Sequence, residues 1–198
     1  MKLKIVQAGD PILRKSSRPL TTDEIRSASV QYLIELMRDT MREAPGVGLA
    51  APQIGESIQL AVIEDRTEYI QGLPKDEVSE RKRSAIDFHV IINPTISISG
   101  DSSAEFFEGC LSLAGFAGMV RRSLKITVEC LNERAEPTTI QADGWYARIL
   151  QHEIDHLNGT LYIDRMETRS FATTENMNRF WQGQTIDQIR TALGPRKQ

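Results

Sequence analysis

The sequence predicts an α+β fold: antiparallel strands packed around a central metal-binding HExxH helix, with a long N-terminal helix and a C-terminal helix. Three observations carry this. Residues 152–156 read HEIDH within a helical stripe, residues 124–130 alternate apolar and polar side chains with period two, and helical apolar spacings recur near both ends. At 198 residues the chain reads as one domain, 1–198, long enough for a sizeable core.

Taken in order, Asp10-Pro11 opens a short helical turn, with Asp as cap and Pro at the first helical position. Thr21 and Glu24 have capping-box spacing. They start a long helix whose apolar side carries Ile25, Leu33, Leu36, Met37 and Met41, and which ends at Pro45-Gly46. Residues 46–55, GVGLAAPQIG, are too rich in small residues for a regular element. Residues 59–64, QLAVIE, read as a buried strand, and residues 65–87 as a charged surface insertion with no visible chemistry. HVIINP and TISIS read as two strands separated by a turn at Asn93-Pro94. Leu124, Ile126, Val128 and Cys130 form the inward side of a half-buried strand, and residues 132–136 turn it into TTIQA. Asp143 caps the next helix, which carries Trp145, Ile149, His152 and His156 on one stripe until Gly159 stops it. Ile186, Ile189 and Leu193 mark a last helix closed by Gly194-Pro195.

Composition removes several function classes. A formal net charge of −3, from 24 basic against 27 acidic residues, gives no basic surface, and 6% aromatics give no base-stacking platform, so no direct nucleic-acid site is expected. Cys110 and Cys130 lie in unrelated contexts and suggest no disulfide framework, which fits a reducing compartment. The N-terminus has no apolar signal-peptide region and no run reaches membrane-spanning length, so a cytoplasmic protein without membrane attachment is expected.

Helix positions i and i+4 stack one turn apart, so His152 and His156 can reach one small cation while Glu153 points elsewhere. A divalent cation held this way polarises a bound water, and the spare carboxylate can take that water's proton. The composition contains only three histidines, and two are spent here. A catalytic metal ordinarily takes three protein ligands. Glu175 would suit a zinc peptidase; Cys110, in EGCLS, offers a thiolate at the end of a strand-like stretch. The residues alone leave both open.

GVGLAAPQ at residues 46–53, EGCLS at 108–112 and QHEIDHLNG at 151–159 resemble, in order and separation, the three motifs of the peptide deformylases. The resemblance runs from GDPILR near the N-terminus to the IDRM after the third motif. It implies an enzyme that removes the N-formyl group from the initiator methionine of nascent polypeptides, releasing formate. It implies Cys110, His152 and His156 as metal ligands, Fe(II) as the native metal with Zn(II), Ni(II) or Co(II) in purified material, and Glu153 as general base and then acid. It also implies Gln53 and the backbone N–H of Leu111 as donors to the oxyanion. Ligand chemistry alone would favour zinc.

For substrate binding, Gly46 and Gly48 would let a peptide backbone approach closely, and Val47, Ile149 and Trp145 are expected to wall a methionine slot. Glu108 and Arg122 are expected to pair and fix the Cys110 loop, and Asp155 is open between that task and solvent. The chain departs from the commonest family pattern at Ala114 and Arg121, where prolines are usual; this bears on loop shape and the groove. The ribosome surface is a further expected partner, through the C-terminal helix. Two rival readings are a zinc peptidase using Glu175 and a ribosome-associated binding module without catalysis; the presence of Glu153 and Gln53 counts against the latter.

Overall fold

Caps organise the N-terminal region. Asp10 accepts a hydrogen bond from the Ile12 N–H at 3.0 Å, and Pro11 opens a 3-10 turn, Pro11–Arg14. The Thr21/Glu24 capping box forms and begins α1, Thr22–Arg26. The expected single long helix is in fact two. Ser27 is extended and its hydroxyl accepts from the Val30 N–H, so a second cap interrupts the first helix and starts α2, Ala28–Glu43.

The computed structural model describes residues 3–194. After α2 come β1 (Gly48–Ala50), β2 (Leu60–Asp65), α3 (Thr67–Ile70), α4 (Lys75–Glu80), β3 (Ile86–Ile98) and β4 (Ser103–Gly109). Then follow β5 (Phe116–Ser123), β6 (Lys125–Leu131), β7 (Pro137–Asp143), α5 (Gly144–Leu157), β8 (Ala172–Thr173), α6 (Thr174–Phe180) and α7 (Ile186–Leu193). Pro195, expected to close α7, lies outside the described residues; Gly194 occupies its C-cap.

Three expectations are corrected. The small-residue stretch is regular: Gly48–Ala50 pairs antiparallel with β2, and Ala51–Ile54 forms a 3-10 turn. HVIINP and TISIS are one strand, β3. Asn93 takes a left-handed conformation (φ 50°), which asparagine tolerates, and shifts the register against β6 between Ile92 and Thr95 as a bulge rather than a turn. The Asn93 side chain accepts from the Leu20 N–H and donates to its carbonyl, which ties the bulge to the N-terminal segment. Asp143 stands at the N-cap position of α5 without capping it; its carboxylate pairs with Lys82 Nζ at 3.0 Å.

A five-stranded antiparallel sheet, β1-β2-β3-β6-β7, and a three-stranded one, β4-β5-β8, form the β layers. Strand periodicity explains why β2 is buried along its whole length. Leu60 and Val62 join Ile25, Ile34, Met37 and Met41 of α1 and α2 on one face, while Ala61 and Ile63 join Ala147, Ile149, Leu150, Ile154 and Leu157 of α5 on the other. Farther along the sheet, β6 buries only Ile126, Val128 and Cys130, toward α5. The central helix is therefore packed by strands as expected. No described helix is long and apolar enough to cross a membrane.

Candidate metal centre

Helix α5 and the β4–β5 connection build the site. Gly159, at φ +73°, follows the end of α5 where a Cβ would strike the Arg14 carbonyl, so the helix stops just beyond its second histidine. His152 and His156 present their rings 5.0 Å apart on one face. Cys110 follows the last residue of β4 and N-caps a short turn, Leu111–Leu113, which places its Sγ 3.2 Å from His156 Nε2. The ligand atoms of Cys110, His152 and His156 all lie within 4.8 Å of one another. A soft thiolate with two imidazoles at that spacing suits one small divalent cation, so the group could hold a metal ion. Burial pushes the His156 imidazole well down, toward its neutral, ligating form.

Glu153 is buried beside this group. Its Oε2 has no hydrogen-bond partner among the described residues, and neither has His156 Nδ1. Burial pushes the Glu153 carboxyl up to about 7. Gly48 is what makes room for it: a Cβ there would lie 2.2 Å from Glu153 Oε1.

Gln53 is buried, not a solvated loop residue. Its Oε1 accepts from the Ala50 N–H at 2.9 Å, which aims Nε2 toward Cys110 Sγ at 3.4 Å and Ser112 Oγ at 3.3 Å. Leu111 opens the turn after Cys110, in which the Ser112 N–H is taken by Cys110 Sγ at 3.4 Å and the Leu113 N–H by the Cys110 carbonyl at 3.0 Å.

A buried ionic network stands behind the ligands. Glu108 accepts from Arg122 Nε at 3.0 Å and Nη2 at 2.9 Å, from Arg148, and lies 3.1 Å from His152 Nδ1. Burial raises the Glu108 carboxyl, but the His152 and Arg122 hydrogen bonds outweigh it and hold the group well below the usual carboxylate range. Asp155, left open by the sequence, bonds both Arg122 and Arg165. Arg148 escapes sequence reading; it sits four residues before His152, on the same helical face, and that spacing is the available signal. Tyr162 escapes it too, and stacks near His152 at 6.4 Å.

A cavity of about 570 Å³ opens beside the ligands, lined by Gly46, Val47, Gly48, Gln53, Leu111, Trp145 and Ile149, and also by Phe107, Phe116 and Arg148. Ala114 lies along its lining, whereas Arg121 pairs with Glu105 at 2.9 Å outside it. Glu175 is exposed in the first turn of α6 and is not among the clustered donors.

Residues 2–172 match a family model described as polypeptide deformylase. The chain is 49% identical over 174 residues to the chloroplastic peptide deformylase 1A of Solanum lycopersicum, covering 88% of this chain and 63% of that protein. It is 44% identical over 175 residues to the chloroplastic/mitochondrial peptide deformylase 1A of Arabidopsis thaliana, with 88% and 65% covered. It thus spans somewhat under two thirds of these plant relatives. Among solved structures, a Met-Ala-Ser-bound class I type b peptide deformylase from Acinetobacter baumannii matches with a TM-score of 0.74 at 30% identity, over 84% of this chain and 99% of that one.

Proposed function

The chain belongs to the polypeptide deformylase family, and from that premise we propose that it hydrolyses the N-formyl group from the initiator methionine of nascent polypeptides, releasing formate. One observation carries the reading: a Cys110, His152 and His156 donor set lies beside the buried, unpartnered carboxylate oxygen of Glu153 at an open cavity. The Acinetobacter neighbour's bound Met-Ala-Ser supports a peptide beginning with methionine as the occupant.

Cys110, His152 and His156 would hold one divalent cation, which we assign as Fe(II), with Zn(II), Ni(II) or Co(II) accepted by the same donors. When bound, it supplies a Lewis acid that activates water and polarises the formyl oxygen. Glu153 takes the proton from the attacking water and delivers it to the departing amine, its Oε2 being free of any hydrogen bond among the described residues. The Gln53 side-chain amide and the Leu111 N–H donate to the developing oxyanion, each contributing about 2.7–4 kcal/mol to the barrier reduction. Gly46, Val47 and Gly48 receive the peptide backbone in a strand-like way, and Val47, Ile149 and Trp145 wall the methionine side chain. Glu108 fixes the His152 ring through Nδ1, and Arg122 fixes Glu108.

The working place is the cytoplasm, at nascent chains near the ribosome surface. Helix α7 turns Ile189 inward, leaving its polar side for such an encounter. Formate release from formyl-Met peptides, with Fe(II) under anaerobic conditions or with Ni(II), tests the reading. Glu153→Ala is expected to lower the rate by about 10²–10⁴-fold with metal retained, and Cys110→Ala to lose metal and activity together. Absence of release by the wild type overturns the proposal.

A further inference from the structure

The charged insertion between β2 and β3 packs against the first turn of α5, where Trp145 lines the cavity. The Arg81 carbonyl accepts the Trp145 N–H at 2.8 Å. Gly144, at φ +59°, permits that approach; a Cβ on it would lie 2.7 Å from both the Arg81 carbonyl oxygen and Lys82 Cβ. The Arg81 guanidinium then sits 4.9 Å from the centre of the Trp145 indole and 5.1 Å from the Phe106 ring, and Arg83 sits 5.0 Å from the same indole.

Both cations are themselves anchored. Glu77 of α4 holds Arg81 Nη2 at 3.0 Å, and Asp65, fully buried at the end of β2, takes Arg83 Nε at 2.7 Å and Nη2 at 2.8 Å. Trp145 Nε1 is buried without a hydrogen-bond partner among the described residues. Its ring is therefore held by its faces, not by its polar edge, and indole is the aromatic ring that attracts a guanidinium most strongly. A merely solvated insertion has no need of a buried counter-ion or of a glycine at its contact.

Resting on the proposed function, we propose that the insertion is a clamp, with Arg81 and Arg83 as positioning residues that fix Trp145 as the outer wall of the pocket for the first side chain of the formyl peptide. The insertion then sets the width of that pocket. A freed indole can swing outward, and the advantage of a long unbranched side chain over a short one shrinks.

The test uses the metal-loaded enzyme in a Trp181→Phe background, where Trp145 is the only tryptophan. Arg81→Met keeps length and removes charge, Arg81→Lys restores charge, and Arg83→Met probes the second cation. Acrylamide quenching of Trp145 is read beside kcat and KM for formyl-Met and formyl-Ala peptides. Arg81→Met is expected to increase quenching and to raise KM for formyl-Met peptides about tenfold, between the scales of an exposed and a fully desolvated cation–π contact, with kcat held within about twofold. KM for formyl-Ala peptides should change little, and Arg81→Lys should recover part of both effects. Unchanged quenching, or an equal fall in kcat for both peptides without change in their KM ratio, overturns the clamp. Quenching requires no turnover, so it still decides the clamp if the wild type releases no formate, an outcome that removes the proposed activity separately.

Discussion

Gly48 and Glu153 compete for one space. Because a methyl group on Gly48 would come within 2.2 Å of Glu153 Oε1, Gly48→Ala must push the carboxylate aside; the alternative is to move β1 out of its pairing with β2. The three donors are untouched by this change. Formate release is therefore expected to fall about 10²-fold, the scale of a misplaced catalytic group, while metal content measured by plasma mass spectrometry stays unchanged. Loss of metal alongside activity would mean that Gly48 shapes the donor set instead. This glycine also shows where sequence reading stops. HEIDH offers two candidate donors and a candidate base through helical spacing alone, whereas the third candidate donor comes through motif resemblance, because local pattern leaves both Cys110 and Glu175 open. The reason for Gly48 is a contact with a residue 105 positions away (153 − 48), invisible to any local rule. Arg148 is hidden for the opposite reason: an arginine on a buried stripe reads as solvated until its carboxylate partner, Glu108, is seen across the strand.

At the scale of elements, the caps at Asp10 and Thr21 are legible, whereas the Ser27 cap and strands with charged interiors are not. The Thr21/Glu24 box is read directly, and it carries a pH signature. Hydrogen bonds from Arg18 and from the Thr21 N–H bring the Glu24 carboxyl from its ordinary 4.5 down to about 2. A carboxyl lowered in the folded state adds stability above its unfolded pKa and loses it as pH falls through the folded one. Wild-type stability should therefore drop between about pH 4.5 and 2 more than that of Glu24→Gln, as read by denaturant titration across that window. Salt should narrow the gap, since the group is exposed. β4 is legible only as a strand-like stretch before Cys110 and β5 escapes, because the inward positions of the pair include Glu108 and Arg122, which bond each other and erase the apolar alternation that marks β6. Asn93-Pro94 misleads in the same physical way: a left-handed asparagine serves a bulge as well as a turn, and only the Leu20 backbone across the interface decides which.

Across the whole molecule, α5 is the shared wall of both sheets, but the two attachments differ in kind. The five-stranded sheet meets it through an apolar layer of Ala61, Ile63, Ile91, Val128, Leu150 and Ile154. The three-stranded sheet meets it through charge: Glu108 of β4 and Arg122 of β5 bond Arg148, His152 and Asp155 of the helix. Periodicity in the sequence conveys the first attachment; of the second, the Glu108–Arg122 pair is expected from the sequence and the Arg148–Glu108 contact is not. A cation bound by Cys110 and the histidines would span the same junction, so the network has two tasks, joining layers and holding a ligand ring in place. Removing one member of such a buried set leaves its partners desolvated and uncompensated, which costs about 3–5 kcal/mol, whereas replacing a complete set by apolar groups can cost nothing. Arg122→Leu is the sharper test for that reason: it leaves Arg148 as the one arginine on Glu108 and Arg165 as the one arginine on Asp155. The expected fall in Tm is about 6–20 °C for a chain of this size. Metal affinity, followed by competition with a chelator, should fall with it by about 10- to 100-fold as Glu108 loses its hold on His152. A Tm within about 2 °C of wild type would show that apolar packing alone joins the second sheet to α5, and the metal centre would then owe its alignment to the helix rather than to the charges behind it.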